Sequence, residues 1–254
     1  IMKAARIIKP KESLQVQDLD LPKVTGSQVV VKVRSSGVCH SDIHLWEGGY
    51  EGIEGQFLKA TDRGVTYPLT PGHEIAGMIE SLGEEAEKEA IDKNDKVIVY
   101  PWIGEGLCPA CRVGEENLCD KPRSLGVYID GGYAEYVLVP SYKYLVKIGN
   151  LDTDVASTLS CSALTAYGAV KNADLKPNDN VVIVGAGGGL GLMAVQLAKA
   201  VTGARIIALD LDQEKLKVAR ENGANEIVSP KDGDPAKRVM ELTANLGADA
   251  IIDF

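Results

Sequence analysis

Hydrophobic and polar residues follow two different patterns along this chain of 254 residues. Up to about residue 150, short apolar runs are separated by turns rich in Gly, Pro and Asp. Runs of that length with many β-branched and aromatic residues predict β-strands. The clearest of these runs are 29–33, 96–100 and 134–139. The pattern therefore predicts a β-rich or β-barrel first half.

One stretch of the first half, residues 47–68, does not follow this pattern. It is rich in Gly and has no clear period of hydrophobic residues. Irregular connections of that length are uncommon in a compact domain unless they have a function. We therefore predict a functional loop or lid here.

From about residue 175, apolar runs alternate with longer amphipathic segments. Strands that alternate with helices predict a parallel sheet covered by helices. The predicted strands are 181–184, 205–209, 226–228 and 250–254, and the predicted helices are 190–201, 213–222 and 235–246. We find no internal repeat. The sequence thus predicts two domains, a β-rich one over 1–155 and an α/β one over 156–254.

Charge and hydropathy exclude several classes of partner. The net charge is −9 and no basic stripe is present, which disfavours nucleic acids and anionic membranes. No apolar stretch approaches the ~18 residues that a membrane-spanning helix needs. The N-terminus has no charged and then apolar leader. We therefore expect a cytoplasmic protein with reduced thiols that acts on a small molecule.

The five cysteines divide into two candidate metal sites, of which one is local. Cys108, Cys111 and Cys119 follow Glu105 within one short loop. Four donors from one segment leave no open coordination position, which is typical of structural zinc. A cysteine can also be a small buried hydrophobe, and Cys-x-x-Cys can be a dithiol redox motif. The third thiol and the carboxylate favour zinc over both alternatives.

The other two cysteines, Cys39 and Cys161, are far apart in the sequence. Between them lies His73, within a Gly-His-Glu triplet. Two thiolates and one imidazole form a ligand set that leaves a fourth position open for water or an alcohol. Without His73, a core role for both cysteines would be the better interpretation. With it, the sequence predicts a catalytic zinc site.

A glycine-rich turn, residues 185–191, joins the first predicted strand of the second half to its helix. Glycines there permit a tight turn, close approach of a pyrophosphate and close packing of helix on sheet. The spacing is one residue from the usual pattern, so a simple tight connection remains an alternative. We predict dinucleotide binding by Gly187, Gly188, Gly189, Leu190 and Gly191.

Asp210 closes the next predicted strand, where an acid would bind both ribose hydroxyls of an adenosine. No Lys or Arg follows before Lys215, so a 2′-phosphate would meet negative charge and no partner. The sequence therefore favours NAD over NADP. An acid at this place can also be a helix N-cap, although Asp212 fills that role better.

Together these motifs resemble the zinc-dependent medium-chain alcohol dehydrogenases, in order and approximate spacing, over essentially the whole chain. The elements that carry the resemblance are 39–44, 72–77 with Gly83, the 105–119 loop, Cys161 and the glycine turn. The similarity is to the archaeal branch, in which glutamate replaces the first structural-zinc cysteine, as at Glu105. The resemblance implies a GroES-like β-rich catalytic domain and a Rossmann doubly wound parallel sheet.

The resemblance also implies an activity and its cofactors. The activity is NAD-dependent interconversion of alcohols and aldehydes or ketones, with one catalytic and one structural zinc. The protein would be a homo-oligomer, a tetramer in its full-length form. Alternatives are polyol or formaldehyde oxidation on the same scaffold, or a non-catalytic relative or fragment that binds zinc and a dinucleotide.

Individual roles follow from the resemblance residue by residue. Cys39, His73 and Cys161 would hold the catalytic zinc, with Glu74 as a transient ligand and Asp42 orienting His73. Ser41 and His44 would form the proton relay, His40 would lie near the pyrophosphate, Thr165 near the nicotinamide, and Trp102 in a substrate pocket suited to apolar or aromatic alcohols. Alternatives are an exposed surface role for the two histidines, a helix role for Thr165 and a core role for Trp102.

One departure concerns length. A doubly wound sheet of this kind has six strands, whereas the fourth predicted strand reaches Phe254, the last residue of the sequence. The resemblance therefore implies that half of the cofactor cleft lies in a further C-terminal segment, and we expect a longer protein.

Overall fold

The computed structural model describes residues 1–254, except for the side chain of residue 53. The chain forms two compact units, Ile1–Ser160 and Cys161–Phe254. The sequence places the division at 155/156, slightly earlier. The difference arises because a short helix, Thr153–Ser157, packs against strands of the first unit.

The first unit is mainly β-structure with short helices between the strands. Its strands are β1 (Met2–Arg6), β2 (Gln15–Leu19), β3 (Val29–Gly37), β4 (Gly49–Glu51), β5 (Phe57–Lys59), β6 (Glu74–Leu82), β7 (Lys96–Val99), β8 (Tyr136–Val139) and β9 (Leu145–Lys147). Its α-helices are α1 (His40–Glu47), α2 (Pro109–Arg112) and α3 (Thr153–Ser157), and its 3-10 helices are Ile53–Gly55, Ala60–Arg63, Ala86–Lys88, Glu116–Leu118, Tyr142–Tyr144 and Thr158–Ser160.

In the part of the chain that the structure describes, the main sheet of this unit has the strand order β8-β3-β6-β7-β9. Neighbouring strands are antiparallel. Alternate residues such as Val29, Val31, Ile75 and Val97 share one buried core, because side chains alternate between the faces of a strand. The β-rich first half that the sequence pattern predicts is therefore present.

The pairing between β3 and β6 is irregular near the end of β3, where the candidate metal ligands lie. The register shifts between Val33 and Ser35, and beyond the shift Gly37 lies opposite Glu74. Bulges of this kind bend a strand and change the direction in which it leaves the sheet. The chain therefore leaves β3 for α1 directly beside the start of β6.

The stretch 47–68 is more ordered than its sequence predicts. It contains the hairpin of β4 and β5, followed by the 3-10 helix Ala60–Arg63. Strands of three residues are too short to produce a visible period in the sequence, which is why the hairpin escaped prediction. The prediction that this stretch has a function is taken up below.

The second unit alternates strands and helices as predicted. Its elements are α4 (Ser162–Asn172), β10 (Asn180–Val184), α5 (Gly189–Val201), β11 (Arg205–Leu209), α6 (Gln213–Glu221), β12 (Glu226–Val228), α7 (Pro235–Leu242) and β13 (Ala250–Asp253). In the described residues its sheet is parallel, with the order β12-β11-β10-β13.

Both faces of this parallel sheet are covered. Val181 and Ile183 of β10 pack with α4 and α5, whereas Val182, on the other face, packs with Val239 of α7. A strand buried on both faces has a continuous apolar sequence, as residues 181–184 do. The predicted doubly wound arrangement is therefore present in these strands.

Two further findings concern the helices. The structure ends α7 at Leu242 rather than at the predicted residue 246, because Ala244 and Asn245 have positive φ angles of 52° and 65°, which no α-helix contains. No helix in the described residues combines the length and the apolar character needed to cross a membrane.

Candidate metal and dinucleotide sites

The first candidate site lies where β3 and β6 lead into α1. Cys39 precedes α1, and His73 and Glu74 lie at the start of β6. The ligand atoms of these three residues all lie within 4.8 Å of one another. Gly37 makes this approach possible, since a Cβ at that position would lie 2.0 Å from Glu74 Oε2. The structure thus brings three predicted ligands together.

Asp42 connects the two segments that carry these ligands. Its carboxylate accepts hydrogen bonds from the Cys39 N–H at 2.9 Å, the Gly72 N–H at 3.1 Å and the Tyr133 hydroxyl at 3.0 Å. Burial opposes its charge, but His73 and these donors outweigh burial and lower the pKa of Asp42. Asp42 is therefore ionised and holds α1 against the turn before His73.

His73 is fully buried, and neither of its ring nitrogens has a hydrogen-bond partner among the described residues. Its Nδ1 lies 3.5 Å from Asp42 Oδ1, which is close enough for charge attraction but long for a hydrogen bond. Buried polar atoms without partners are costly. A metal ion on one nitrogen and Asp42 on the other would satisfy both.

The electrostatics of this site also favour a cation. Burial opposes a charge on His73, but Asp42 and Cys39 outweigh burial and raise the pKa of His73 to about 9. The same negative groups would stabilise a divalent metal. Glu74 is buried at 4% exposure and adds a carboxylate to the donor set. The residues present therefore fit a zinc ion.

A cavity of about 440 Å³ adjoins this site within the first unit. Ser41, His44 and Trp102 line it, together with apolar residues such as Val65. Ser41 Oγ lies 3.7 Å from Cys39 Sγ, and the Trp102 ring lies 5.4 Å from the His73 ring. The predicted relay and pocket residues thus share one cavity beside the metal ligands.

His40 and His44 lie one turn apart on α1, with ring centroids 4.7 Å apart. His40 is exposed and His44 is half-buried, with its Nδ1 at 3.7 Å from Glu47 Oε2. The 47–68 stretch also contributes to the cavity wall, through Tyr50, Ala60 and other residues. This contribution is consistent with the function predicted for that stretch.

The second candidate site is the cysteine loop. Cys108 Sγ lies 3.5 Å from Cys111 Sγ and 3.7 Å from Cys119 Sγ. The single turn α2 brings the first two thiols to the same side. The backbone N–H groups of Glu105 and Lys121 each donate to Cys119 Sγ at 3.4 Å. Three convergent thiols with N–H donors around them fit a metal that binds thiolates.

Glu105 takes a different position from the other predicted ligands of this loop. The group of metal-ligating atoms in the described residues contains the three thiols but not the Glu105 carboxylate. Glu105 contributes its backbone N–H instead. Its role as fourth ligand remains a prediction.

Sequence reasoning missed Glu116, which anchors the cysteine loop to the sheet. Its carboxylate accepts hydrogen bonds from the Gly104 N–H at 3.0 Å, the Tyr144 hydroxyl at 2.7 Å and Lys143 Nζ at 2.7 Å. Burial opposes its charge, but Lys143 and Tyr144 outweigh burial and lower the pKa of Glu116. In the sequence it is only one of two adjacent glutamates, so no local signal distinguishes it.

The glycine turn of the second unit has the tight packing that its sequence predicts. Helix α5 begins at Gly189, and a Cβ at Gly191 would lie 2.1 Å from the Gly185 carbonyl oxygen. Gly191 therefore has the role of the last glycine of the usual pattern, one residue later. This accounts for the unusual spacing, and phosphate binding at the start of α5 remains a prediction.

Asp210 follows β11 and faces this turn. Its carboxylate accepts from the Gly187 N–H at 2.9 Å and the Asp212 N–H at 3.0 Å. Burial opposes its charge, but these donors and Lys215 lower the pKa of Asp210. Asp212 caps α6 by accepting from the Glu214 and Lys215 N–H groups, as the sequence predicts.

Lys215 lies closer to the turn than its distance in sequence indicates. A Cβ at Gly187 would lie 2.2 Å from the Lys215 Cβ. The first turn of α6 brings Lys215 back beside Asp210, so the surroundings of Asp210 are less negative than the sequence argument assumes. At the start of the second unit, buried Cys161 precedes α4, and its backbone carbonyl accepts a hydrogen bond from the Thr165 N–H at 2.9 Å.

Known proteins match both units. A family model described as an alcohol dehydrogenase GroES-like domain matches residues 25–150, and one described as a zinc-binding dehydrogenase matches residues 189–254. An NAD-dependent alcohol dehydrogenase of Sulfurisphaera tokodaii is 47% identical over 253 residues, covering 100% of this chain and 71% of that protein.

Solved structures match as well. The alcohol dehydrogenase of Aeropyrum pernix superposes with a TM-score of 0.85 at 38% identity, over 99% of this chain and 71% of that one. A D-arabinose dehydrogenase of Sulfolobus solfataricus gives a TM-score of 0.84 at 28% identity, over 100% of this chain and 74% of that one. The predicted fold classes are thereby confirmed, and the chain belongs to the zinc-dependent medium-chain alcohol dehydrogenases.

Proposed function

We propose that this chain is an NAD-dependent dehydrogenase that interconverts alcohols with aldehydes or ketones. The observation that carries the proposal is the cluster of Cys39, His73 and Glu74 around unsatisfied imidazole nitrogens, beside a cavity of about 440 Å³. Such a cluster supplies soft donors for zinc, and the adjoining cavity supplies room for a substrate.

Cys161 is proposed as the third protein ligand, and its support comes from connectivity. The Trp102 indole N–H donates to the Ser160 carbonyl at 3.2 Å, and the Trp102 ring lies 5.4 Å from His73. The chain therefore leaves the first unit next to His73. Cys161 is the following residue, one Cα–Cα step of ~3.8 Å away.

When bound, zinc would supply Lewis acidity that eases loss of the alcohol proton, and NAD would accept the hydride. The oxidation removes a hydride, that is a proton with two electrons, from the carbinol carbon, and the hydroxyl proton leaves separately. Ser41 Oγ is proposed to accept that proton and the His44 ring to pass it to solvent. The walls formed by Trp102 and Val65 orient the substrate tail and exclude water.

The cofactor would be held mainly by the second unit. The turn 187–191 is proposed to bind the pyrophosphate through backbone N–H groups, and Asp210 to accept hydrogen bonds from the adenosine ribose. His40 is proposed to lie near the pyrophosphate and Thr165 near the nicotinamide. Glu105 is proposed as the fourth ligand of a structural zinc in the cysteine loop.

We further propose a cytoplasmic location and a homo-oligomer, a tetramer in the full-length protein. Thiols that bind metal need a compartment in which they stay reduced, which supports the location. Leu107, Val113 and Leu118 expose 69%, 72% and 62% of their surface on the cysteine loop, which supports self-association.

The function is tested by following NADH formation with primary and secondary alcohols. We expect alcohol-dependent NADH formation that is lost after treatment with a chelator and restored by zinc. Incubation with the chelator already saturated with zinc is the control. Alcohol oxidation that is unchanged after metal removal, or no oxidation of any alcohol by zinc-loaded protein, would refute the proposal.

Asp210→Ala should weaken NAD binding by about 10- to 100-fold, since hydrogen bonds to a charged group are worth ~1.5–3 kcal/mol. NADP binding should change less, because the substitution also removes repulsion of the 2′-phosphate while Lys215 stays beside the turn. Isothermal titration measures the dissociation constants of NAD and NADP, and the ratio of the two constants reports the cofactor preference. Asp212→Ala, which removes only the cap of α6, should leave the ratio unchanged. An unchanged ratio in Asp210→Ala would remove Asp210 from the cofactor site.

A further inference from the structure

The cavity beside the metal ligands has a cationic residue that the proposed reaction does not use. Arg63, at the end of the 3-10 helix Ala60–Arg63, lines the same cavity as Ser41 and Trp102. Its Nη1 donates to the Tyr50 hydroxyl oxygen at 2.5 Å, and its guanidinium carbon lies 5.9 Å from the Tyr50 ring centre. The Tyr50 hydroxyl therefore contacts one nitrogen of the guanidinium.

Arg63 is an exposed residue, so water reaches its charge. Among the described residues no carboxylate forms an ion pair with it; neighbouring Asp62 does not, and Glu47 lies against His44 instead. Only one guanidinium nitrogen is engaged by Tyr50, and the other N–H groups of the planar fork remain available. The cavity thus contains an unpaired cation in a protein whose net charge is −9.

Tyr50 adds a second donor at the same place. Its oxygen accepts the Arg63 N–H, so its own hydroxyl proton is free to donate to another acceptor. Two converging donors, one of them charged, are suited to an anionic group with several acceptor oxygens. Neutral alcohols would leave both donors to water.

Arg63 and Tyr50 line the cavity together with Ser41, whereas Cys39, His73 and Glu74 do not line it. The Tyr50 ring lies 5.5 Å from the ring of His44, which is on the same helix as Ser41. A substrate with its hydroxyl beside Ser41 would meet Leu45 and Val65 as apolar walls and Arg63 and Tyr50 as polar donors of the same cavity. These walls suit a hydrocarbon or aromatic spacer between the hydroxyl and an anionic group.

We propose that Arg63, with Tyr50, is a specificity-determining residue that selects alcohols and aldehydes carrying a carboxylate at the end remote from the reacting carbon. The inference rests on the proposed function for the oxidation itself. The preference for a carboxylate is argued from the residues that line the cavity. Because the whole protein is negatively charged, an anionic substrate needs such a local cation to enter.

The test compares 4-(hydroxymethyl)benzoate with benzyl alcohol as substrates of the zinc-loaded protein. We expect kcat/KM to be higher for the carboxylate, and Arg63→Met to lower the ratio of the two values by about threefold to tenfold, since solvent screens an exposed charge pair and hydrogen bonds strengthen it. High salt should reduce the ratio in the same direction. Lys59→Met removes a nearby charge that does not line this cavity and should leave the ratio unchanged.

A binding measurement separates this inference from the reaction itself. In a Trp46→Phe background, Trp102 remains as the indole in the cavity, and 4-methylbenzoate should quench its fluorescence with a Kd that Arg63→Met raises about threefold to tenfold. The neutral 4-methylbenzamide should bind equally to both proteins. If no alcohol of the panel is oxidised by the zinc-loaded protein but the carboxylate binds through Arg63, the proposed function fails and the anion site stands. An equal substrate ratio and an equal Kd in Arg63→Met would overturn the inference.

Discussion

Replacing Cys39 by Ala is expected to lower kcat/KM for alcohol oxidation by more than about 100-fold while the protein stays folded. Loss of an outer-shell partner of a metal already costs roughly 10- to 100-fold, so loss of a ligand should cost more. The fold should survive because Asp42 bonds the backbone N–H of residue 39, which alanine keeps. Steady-state kinetics, zinc content and thermal unfolding measure the three effects.

The expected pattern for Cys39→Ala is one zinc instead of two, lost turnover and a midpoint of unfolding within a few degrees of the parent. The midpoint is the discriminating quantity, since ~1 kcal/mol corresponds to about 2–4 °C in a chain of this size. A large loss of stability with turnover preserved at low temperature would mean that the structural and catalytic assignments are exchanged.

Replacing Cys108 by Ala should have the opposite profile. Cys108 Sγ contacts both other thiols of the loop, so its loss should release the metal of that site. Binding of structural zinc contributes directly to folding, with apparent values of about 10–16 kcal/mol in isolated zinc-finger peptides. Even a fraction of this binding free energy should lower the midpoint of unfolding by more than about 10 °C.

Turnover of Cys108→Ala at low temperature should remain within about tenfold of the parent. Glu116 still anchors the loop through Gly104, Lys143 and Tyr144, so the nearby cavity keeps its wall. Arg112→Ala, at an exposed position of the same loop, is the matched control and should leave the midpoint unchanged. A midpoint in Cys108→Ala equal to that of the control would argue against a structural metal in the loop.

Much of the fold follows from patterns that are local in sequence. Alternation of strands and helices after residue 175 predicted the parallel sheet, because a strand buried on both faces must be continuously apolar. The prediction failed at the end of α7, where two residues with left-handed backbone stop the helix inside an otherwise helical pattern. It also missed the hairpin of β4 and β5, whose strands of three residues carry no period.

The candidate sites divide in the same way. The cysteine loop and the glycine turn were visible as spacings, because all their donors lie within a few residues of one another. The residue type of His73 was sufficient to predict a metal ligand. The role of Asp42 in orienting His73 was predicted only from the family resemblance. The shared bonds of Asp42 with Gly72 and Tyr133 are visible only in the structure.

By itself, then, the sequence determined the two fold classes, the loop of three thiols and the glycine turn, since spacing along a helix, strand or short loop sets which groups can meet. The tertiary structure alone decided that Glu116 anchors the loop, that Lys215 packs against Gly187, and that Arg63 and Tyr50 join Ser41 around one cavity. Those pairs are separated along the chain, and only the packing of one segment on another sets the distance between them.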